Sequence, residues 1–154
     1  MVMKKFLNKP ENIADEVLEG LAGAYCDKIA LAGNRIVVRA VAKPTDKVAV
    51  ITMGGGGHEP ALSGFVGEGM LDASVVGDVF AAPNAVSVLT ALRKFKDYAG
   101  ILLVVLNHAG DVMSANMALK MAAREGINVM SILVSYDMSV GLDTTQAMGR
   151  GLVG

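Results

Sequence analysis

The clearest structural signal in the sequence is GILLVVL at residues 100–106, followed by NHAGD at residues 107–111. An unbroken aliphatic run of this length predicts a strand with both of its faces covered. A helical segment continues to about Glu125, and Gly126 stands where that helix would end. A further strand is predicted from Ile127 to Val134. The order strand, loop, helix, strand indicates an α/β unit whose strands lie parallel.

The same alternation extends towards the start of the chain. Pro10 suits the first turn of a helix, and apolar residues at helical spacing follow it as far as Ala24. Strands are predicted next at 35–41, 47–52 and 73–76. A short helix is predicted at 61–66 and a longer helix at 84–96. We therefore expect one α/β domain over residues 1–154, with a mainly parallel sheet flanked by helices.

Composition and charge exclude several classes of function. The 154 residues carry 14 basic and 15 acidic side chains, so no net field attracts nucleic acid or anionic lipid. No apolar run is long enough to span a bilayer, and Pro10 and Glu11 interrupt any signal peptide. A single cysteine excludes an internal disulfide and a multi-cysteine metal site. Two histidines are too few to favour a histidine-rich metal centre. We expect a cytoplasmic chain that binds no metal, nucleic acid or membrane.

The first candidate functional loop follows the predicted strand at 47–52. Four consecutive glycines, 54–57, lead into His58 and Glu59. Without side chains, the backbone can approach a ligand and direct N–H groups towards an anion or a carbonyl oxygen. The run lacks the lysine and the spacing of nucleotide-binding loops, so it does not predict a P-loop. A flexible turn is the alternative interpretation, although a turn requires only one or two glycines.

The second candidate loop follows the predicted strand at 100–106. Ligands bind beyond the carboxyl ends of the strands in open α/β sheets, where this loop and the glycine loop both lie. Asp111 can act as the N-cap of the next helix, or as an ionised general base held at the helix N-terminus. His58 and Asp111 would together polarise and deprotonate a small ligand that carries a hydroxyl group. His108 is either a polar loop residue or a donor to that ligand.

Several segments together resemble the substrate-binding subunit of dihydroxyacetone kinases. The family pattern G-G-G-S-G-H-E-P is similar to residues 53–60, and G-x-G-M-L is similar to residues 67–71. The pattern G-E-[IV]-F-x-[SA]-P is similar to residues 77–83, and K-N-Y-T-G-D is similar to residues 106–111. Gly149-Arg150-Gly151 is similar to the family's G-R-R-G. The resemblance covers nearly the whole sequence.

The resemblance implies a substrate and a division of labour between chains. The residues that would surround a short ketose, a triose or tetrose, are Gly55, Gly56, Gly57, His58 and His108. Asp111 would accept the proton of the ketose terminal hydroxyl as that oxygen attacks a phosphoryl group. The phosphoryl donor would lie on a separate nucleotide-binding subunit, which would hold ATP or ADP with Mg. The donor itself would be ATP or a phosphotransferase relay. This chain would therefore bind no cofactor itself.

The sequence departs from the family pattern at three points. Leu106 stands where the family has a lysine, so one cationic donor to the sugar is missing. Met53 replaces the first family glycine, and Gly56 replaces the serine. The family's second half carries a histidine that forms a hemiaminal with the ketone, and neither His58 nor His108 matches it. We therefore expect an N-terminal half that works with a second-half chain.

Oligomer formation is the expectation from composition, because ten methionines and a mean hydropathy of +0.47 indicate apolar surface covered by another subunit. The resemblance makes a ketose kinase subunit the leading interpretation. A non-catalytic ketose-sensing regulator is the second, because the family lysine and the hemiaminal histidine are both absent. A purely structural α/β subunit is the third. Retention of His58 and Asp111 favours the kinase subunit over the sensor.

Overall fold

The computed structural model describes residues 4–136 and 149–151 of the chain. Four strands follow the first α-helix, and α-helices and strands alternate after them; short 3₁₀ turns occur at Pro10–Asn12 and Ser63–Phe65. The elements are α1 (Ile13–Ala24), β1 (Ile29–Leu31), β2 (Ile36–Arg39), β3 (Val48–Gly56), β4 (Ala73–Val79), α2 (Ala85–Lys94), β5 (Gly100–Leu106), α3 (Ala109–Arg124) and β6 (Val129–Val134).

The strands form one six-stranded sheet in the order β1-β2-β4-β3-β5-β6. Strands β4, β3, β5 and β6 are parallel to one another, whereas β2 is antiparallel to both of its neighbours, β1 and β4. The expected α/β fold with a mainly parallel, helix-flanked sheet is confirmed. A single domain over residues 1–154 stays a prediction, because residues 137–148 lie outside the described ranges.

Three local expectations from the sequence are corrected by the structure. Strand β1 was not expected, because its three residues follow closely on the end of α1 and give too short a pattern to recognise. The short helix expected at 61–66 is a single 3₁₀ turn at Ser63–Phe65. Strand β3 does not stop at Thr52 but continues through the first glycines to Gly56, because these pair with β4.

The core has two parts, one on each face of the sheet. Helices α2 and α3 pack on one face, with Leu89 and Leu92 of α2 fully buried and α3 contributing small residues such as Ala118. Helix α1 covers the other face, where its Leu18 lies against Val37 and Val76. Alternate residues of the strands point to opposite faces, so both faces of a central strand are buried. This layering leaves the carboxyl ends of β3 and β5 open.

Strand β6 is an apolar edge strand that the described residues leave uncovered. Met130, Ile132 and Leu133 are 73%, 52% and 47% exposed. Its inner neighbour β5 is largely buried, as the sequence predicts. An exposed edge strand with apolar side chains on both faces is typical of a surface that another polypeptide covers. Among the described helices, none is both long and apolar enough to cross a membrane.

Candidate functional site

A cavity of about 560 Å³ lies beyond the carboxyl ends of β3 and β5. The two strands are adjacent and parallel, with Met53 beside Val105, so the loops that follow them meet at one edge of the sheet. His58 follows β3, and His108 and Asp111 follow β5; all three side chains line the cavity. The sequence-based prediction that these residues come together is therefore matched by their positions.

Asp111 is the buried acid of this cavity. Helix α3 begins at Ala109 with His108 as its N-cap, so Asp111 is the third residue of the helix and not its cap. The interpretation of Asp111 as the N-cap is wrong, since the N-cap position lies three residues earlier, at His108. Asp111 is only 6% exposed, and its Oδ1 has no hydrogen-bond partner among the described residues. A buried carboxylate oxygen without a partner is costly unless a ligand uses it.

The surroundings of Asp111 act on its acidity in opposite directions. Burial raises the pKa of the Asp111 carboxyl above its ordinary value, and the nearby His108 and His58 lower it in part. Burial is the larger effect, because it removes water from the charged form. The result is a carboxylate that binds a proton more strongly than an exposed aspartate does, which suits a general base.

His108 contacts the last described segment of the chain. Its Nε2 lies 2.9 Å from the carbonyl oxygen of Gly151, and the Nδ2 group of Asn107 donates to the carbonyl oxygen of Gly149. A carbonyl oxygen only accepts hydrogen bonds, so Nε2 carries a proton and Nδ1 of the neutral ring is an acceptor. His108 can therefore donate to a ligand through Nδ1 only as an imidazolium ion. Gly151 also lines the cavity, a role that the sequence did not reveal.

His58 is held by an aromatic contact and not by a described hydrogen bond. Its ring lies against the ring of Phe80, with centroids 5.1 Å apart and planes tilted by 58°. Phe80 is 72% exposed and has a φ of 55°, a left-handed conformation that bulky residues rarely adopt. Contact with Phe80 leaves the ring nitrogens of His58 available to a ligand.

The glycine loop is only partly a wall of the cavity. Gly54 and Gly55 line it, whereas Gly56 and Gly57 are outside the lining residues. A Cβ on Gly55 would lie 2.8 Å from the backbone nitrogen of Ala81, and one on Gly57 would lie 3.0 Å from the Phe80 ring. The absence of side chains thus lets residues 80–82 pack closely on the loop. A ligand contact of Gly56 and Gly57 stays a prediction that this placement does not favour.

Residues 80–82 form a third wall of the cavity, which was not among the predicted site residues. They follow β4 and are held in place by Gly77, where a Cβ would lie 2.0 Å from the carbonyl oxygen of Ala81. The signal was present in the sequence as GDVFAAP at 77–83, but only as part of a resemblance. Its physical role, close packing of one loop on another, requires the three-dimensional structure.

We expect Gly77→Ala to destabilise the fold by about 2–3 kcal/mol, because the new methyl group would overlap backbone atoms that cannot move independently. Gly20→Ala in α1 is the matched control, since nothing lies within 4 Å of a Cβ there. That control should stabilise the helix by about 0.5–1 kcal/mol. Urea unfolding of the two variants measures both effects. Equal stability of Gly77→Ala and the unmodified chain would contradict the packing role of residues 80–82.

The cavity contains little positive charge. Among the described residues, the ionisable side chains that line it are His58, His108 and Asp111, and no described lysine or arginine is a lining residue. Leu106, at the position of the family lysine, also lines the cavity and gives it an apolar wall. Within the described residues, no group of three or more His, Cys, Asp or Glu side chains is arranged to hold a metal ion. The described lining, with one carboxylate and neither lysine nor arginine, does not fit a nucleotide with Mg²⁺.

Comparison with known proteins identifies the family. Residues 19–154 match the Dak1 domain. The chain belongs to the Dak1 domain family. The resemblance to the substrate-binding subunit of dihydroxyacetone kinases is thereby confirmed. A relative from Lactococcus lactis, the dihydroxyacetone-binding subunit DhaK of a PTS-dependent dihydroxyacetone kinase, is 38% identical over 98% of this chain.

Solved structures of Dak1 relatives share the fold. The dihydroxyacetone kinase from C. freundii, in complex with AMP-PNP and Mg²⁺, superposes with a TM-score of 0.89 at 39% identity over 99% of this chain. The dihydroxyacetone kinase operon co-activator Dha-DhaQ superposes with a TM-score of 0.81 at 34% identity over 89% of this chain. The chain covers 46% of the Lactococcus relative, 29% of the C. freundii chain and 42% of the co-activator chain.

Proposed function

We propose that this Dak1 chain is the ketose-binding part of a dihydroxyacetone-type kinase. The observation that carries the proposal is the buried Asp111, which lines the cavity and whose Oδ1 has no partner in the described part of the chain. A ketose terminal hydroxyl is a donor that would satisfy this oxygen. The kinase relatives support the same substrate class, since they are dihydroxyacetone kinases by name.

The proposed chemistry is proton removal from the bound ketose. As the terminal oxygen forms its bond to phosphorus, its proton passes to the Asp111 carboxylate, and the donor's leaving group departs with its electron pair. The burial that raises the Asp111 pKa makes it a better base for this step. The electrostatic effect of His108 and His58, which lowers the Asp111 pKa in part, favours the ionised form before the reaction.

His58 is the proposed donor or acceptor for the carbonyl or hydroxyl oxygen of the ketose. Its ring is oriented by Phe80, and its nitrogens bond no described protein atom. Orientation of a small ligand requires contacts to nearly all of its polar groups, because it has few atoms. His58, Gly55 and Asp111 supply contacts from two neighbouring strand ends.

In this proposal, the phosphoryl donor and the remaining site residues are supplied by polypeptide segments outside these 154 residues. A nucleotide-binding subunit would hold ATP or ADP with Mg²⁺, because the donor set of this cavity does not suit them. The family's second half would supply the hemiaminal histidine, either as a separate chain or as a continuation of this one. An oligomeric assembly and a cytoplasmic location stay predictions.

A ketose-sensing regulator is the second candidate function. The observation that favours it is the structural match to the operon co-activator Dha-DhaQ, together with Leu106 at the position of the family lysine. A sensor would bind the ketose without phosphorylating it. The two functions therefore differ in one measurable product, the ketose phosphate.

The test is phosphorylation of dihydroxyacetone by this chain combined with a second-half polypeptide and a nucleotide-binding subunit. In that assembly, we expect His58→Ala to weaken ketose binding by about tenfold and to lower turnover as well, because a polar contact to the ligand is lost. Glu59→Gln is the control, since Glu59 is adjacent but outside the cavity lining. Ketose binding without any ketose phosphate would instead support the sensor.

A further inference from the structure

A second cavity, of about 450 Å³, lies at the other end of the strands from the candidate site. Lys43 precedes β3, Asp72 immediately precedes β4, and Lys94 ends α2 before the chain enters β5. These positions are at the amino ends of the parallel strands. The second cavity is therefore separate from the cavity that contains His58 and Asp111.

The acid of the second cavity is already fully occupied by protein partners. Asp72 is 2% exposed. Its Oδ2 accepts a hydrogen bond from the Val50 backbone N–H at 2.7 Å and forms an ion pair with Lys43 Nζ at 2.5 Å, and its Oδ1 accepts a hydrogen bond from Arg39 Nη1 at 3.2 Å. Two cations share one carboxylate, so the cluster of Arg39, Lys43 and Asp72 has a surplus of one positive charge.

The surplus cations have donors to spare. The side chains of Arg39 and Lys43 are only 15% and 19% exposed. In the described ranges, Nε and Nη2 of Arg39 bond no protein atom, and Lys94 has no ion-pair partner. A guanidinium ion presents a fork of N–H groups that matches phosphate or carboxylate oxygens. The three cations and one carboxylate of the cavity sum to two positive charges, which a dianion would neutralise.

The remaining walls of the second cavity are apolar. Leu31, Val38 and Phe95 line it, together with Tyr98, whose ring packs edge-on against Phe95 with centroids 5.2 Å apart. A bare phosphate ion would leave most of this volume and these walls unused. We propose that the second cavity binds a phosphate monoester with a compact apolar body, its phosphate between Arg39, Lys43 and Lys94. A phosphate monoester carries close to two negative charges at neutral pH.

Calorimetry with phenyl phosphate, using the 154-residue chain at low salt, tests the proposal. We expect phenyl phosphate to bind more tightly than benzoate, which has one charge, and we expect no binding of phenol. Backbone amide shifts should change at Ala42 and Tyr98 and not at Gly55 or Asp111. Lys94→Gln should weaken phenyl phosphate binding by about tenfold, because a charge-assisted hydrogen bond is lost.

Lys96→Gln is the matched control, since Lys96 is exposed, lies two residues further on and is outside the cavity lining. It removes the same charge and should leave the affinity unchanged. Equal losses in both variants would show attraction to net charge alone and would overturn the proposal. Equal affinity for benzoate, or amide shifts confined to the Asp111 region, would overturn it as well. None of these results depends on ketose phosphorylation, so the proposed function is tested separately.

Discussion

Replacement of Asp111 by asparagine should remove most of the turnover of the proposed kinase assembly and at the same time stabilise the fold. A positioned general base contributes about 10²–10⁴ in rate, and asparagine keeps the shape of the side chain without its basicity. The chain should still fold, because Asp111 is not the N-cap of α3 and its Oδ1 makes no hydrogen bond within residues 4–136 and 149–151. Steady-state phosphorylation of dihydroxyacetone measures the first effect.

The gain in stability of Asp111→Asn has a defined pH dependence. Burial raises the pKa of Asp111 in the folded chain above 3.8, the value for the unfolded chain, so the folded state binds the proton more tightly. The unmodified chain therefore loses stability as the pH rises from 3.8 through the raised pKa, whereas asparagine does not titrate. Urea unfolding should show a difference that is small in acid, grows across this window and is constant at higher pH.

Asp97→Asn is a suitable control for both measurements, because Asp97 is exposed in the turn before β5, at the other end of the sheet. It should change neither turnover nor the pH profile of unfolding. A purely structural Asp111 would give the opposite pattern, with lower stability and normal turnover. That result would contradict the general-base role, since the residue would then serve only the start of α3.

The sheet and its helices were predictable from the sequence because hydrophobic runs and their periods reflect burial directly. The run at 100–106 is a buried central strand in the structure, and Gly126, with a φ of 70°, follows the end of α3 as expected. Strand β1 was missed because three residues cannot establish a period. Its place in the sheet depends on pairing with β2, which is tertiary information.

The candidate site was predictable only where a side chain carries chemistry. His58, His108 and Asp111 were found from residue type and position after a strand, and all line the cavity. The glycines were interpreted as a ligand cradle, yet Gly55 and Gly57 chiefly make room for residues 80–82. The contact of Gly151 with His108 joins positions 43 residues apart, so no local pattern reveals it.

The close packing of residues 80–82 on the glycine loop decides which substitution can probe ligand contact there. In Gly55→Val, the new Cβ would meet the Ala81 backbone before it reached ligand space. Loss of binding in that variant would therefore report a displaced loop. Gly54→Ala is the better probe, because its Cβ would meet only the end of the Leu62 side chain at 3.3 Å.

The exposed apolar side chains of β6 are the structural reason to expect that a second polypeptide segment packs on this chain. The chain covers 46% of the Lactococcus relative, so more than half of that protein has no counterpart here. Met130, Ile132 and Leu133 expose large apolar side chains at the edge of the sheet. Burial of such residues is the main favourable contribution to most protein association. We therefore expect the family's second half to pack against β6.

Purified alone, the 154-residue chain should show no phosphorylation of ketoses, even with a nucleotide-binding subunit present, and should self-associate through its apolar edge. Addition of the second-half polypeptide should restore activity and give a hetero-oligomer, in which intact-mass analysis finds the ketose on a histidine of the added chain. Ile132→Lys should weaken assembly by about 30-fold or more, the usual effect of losing a central apolar contact. Val41→Lys, at an exposed position near the opposite edge of the sheet, should not. A ketose adduct on the 154-residue chain, or full activity without the second half, would show that this chain contains the whole ketose site.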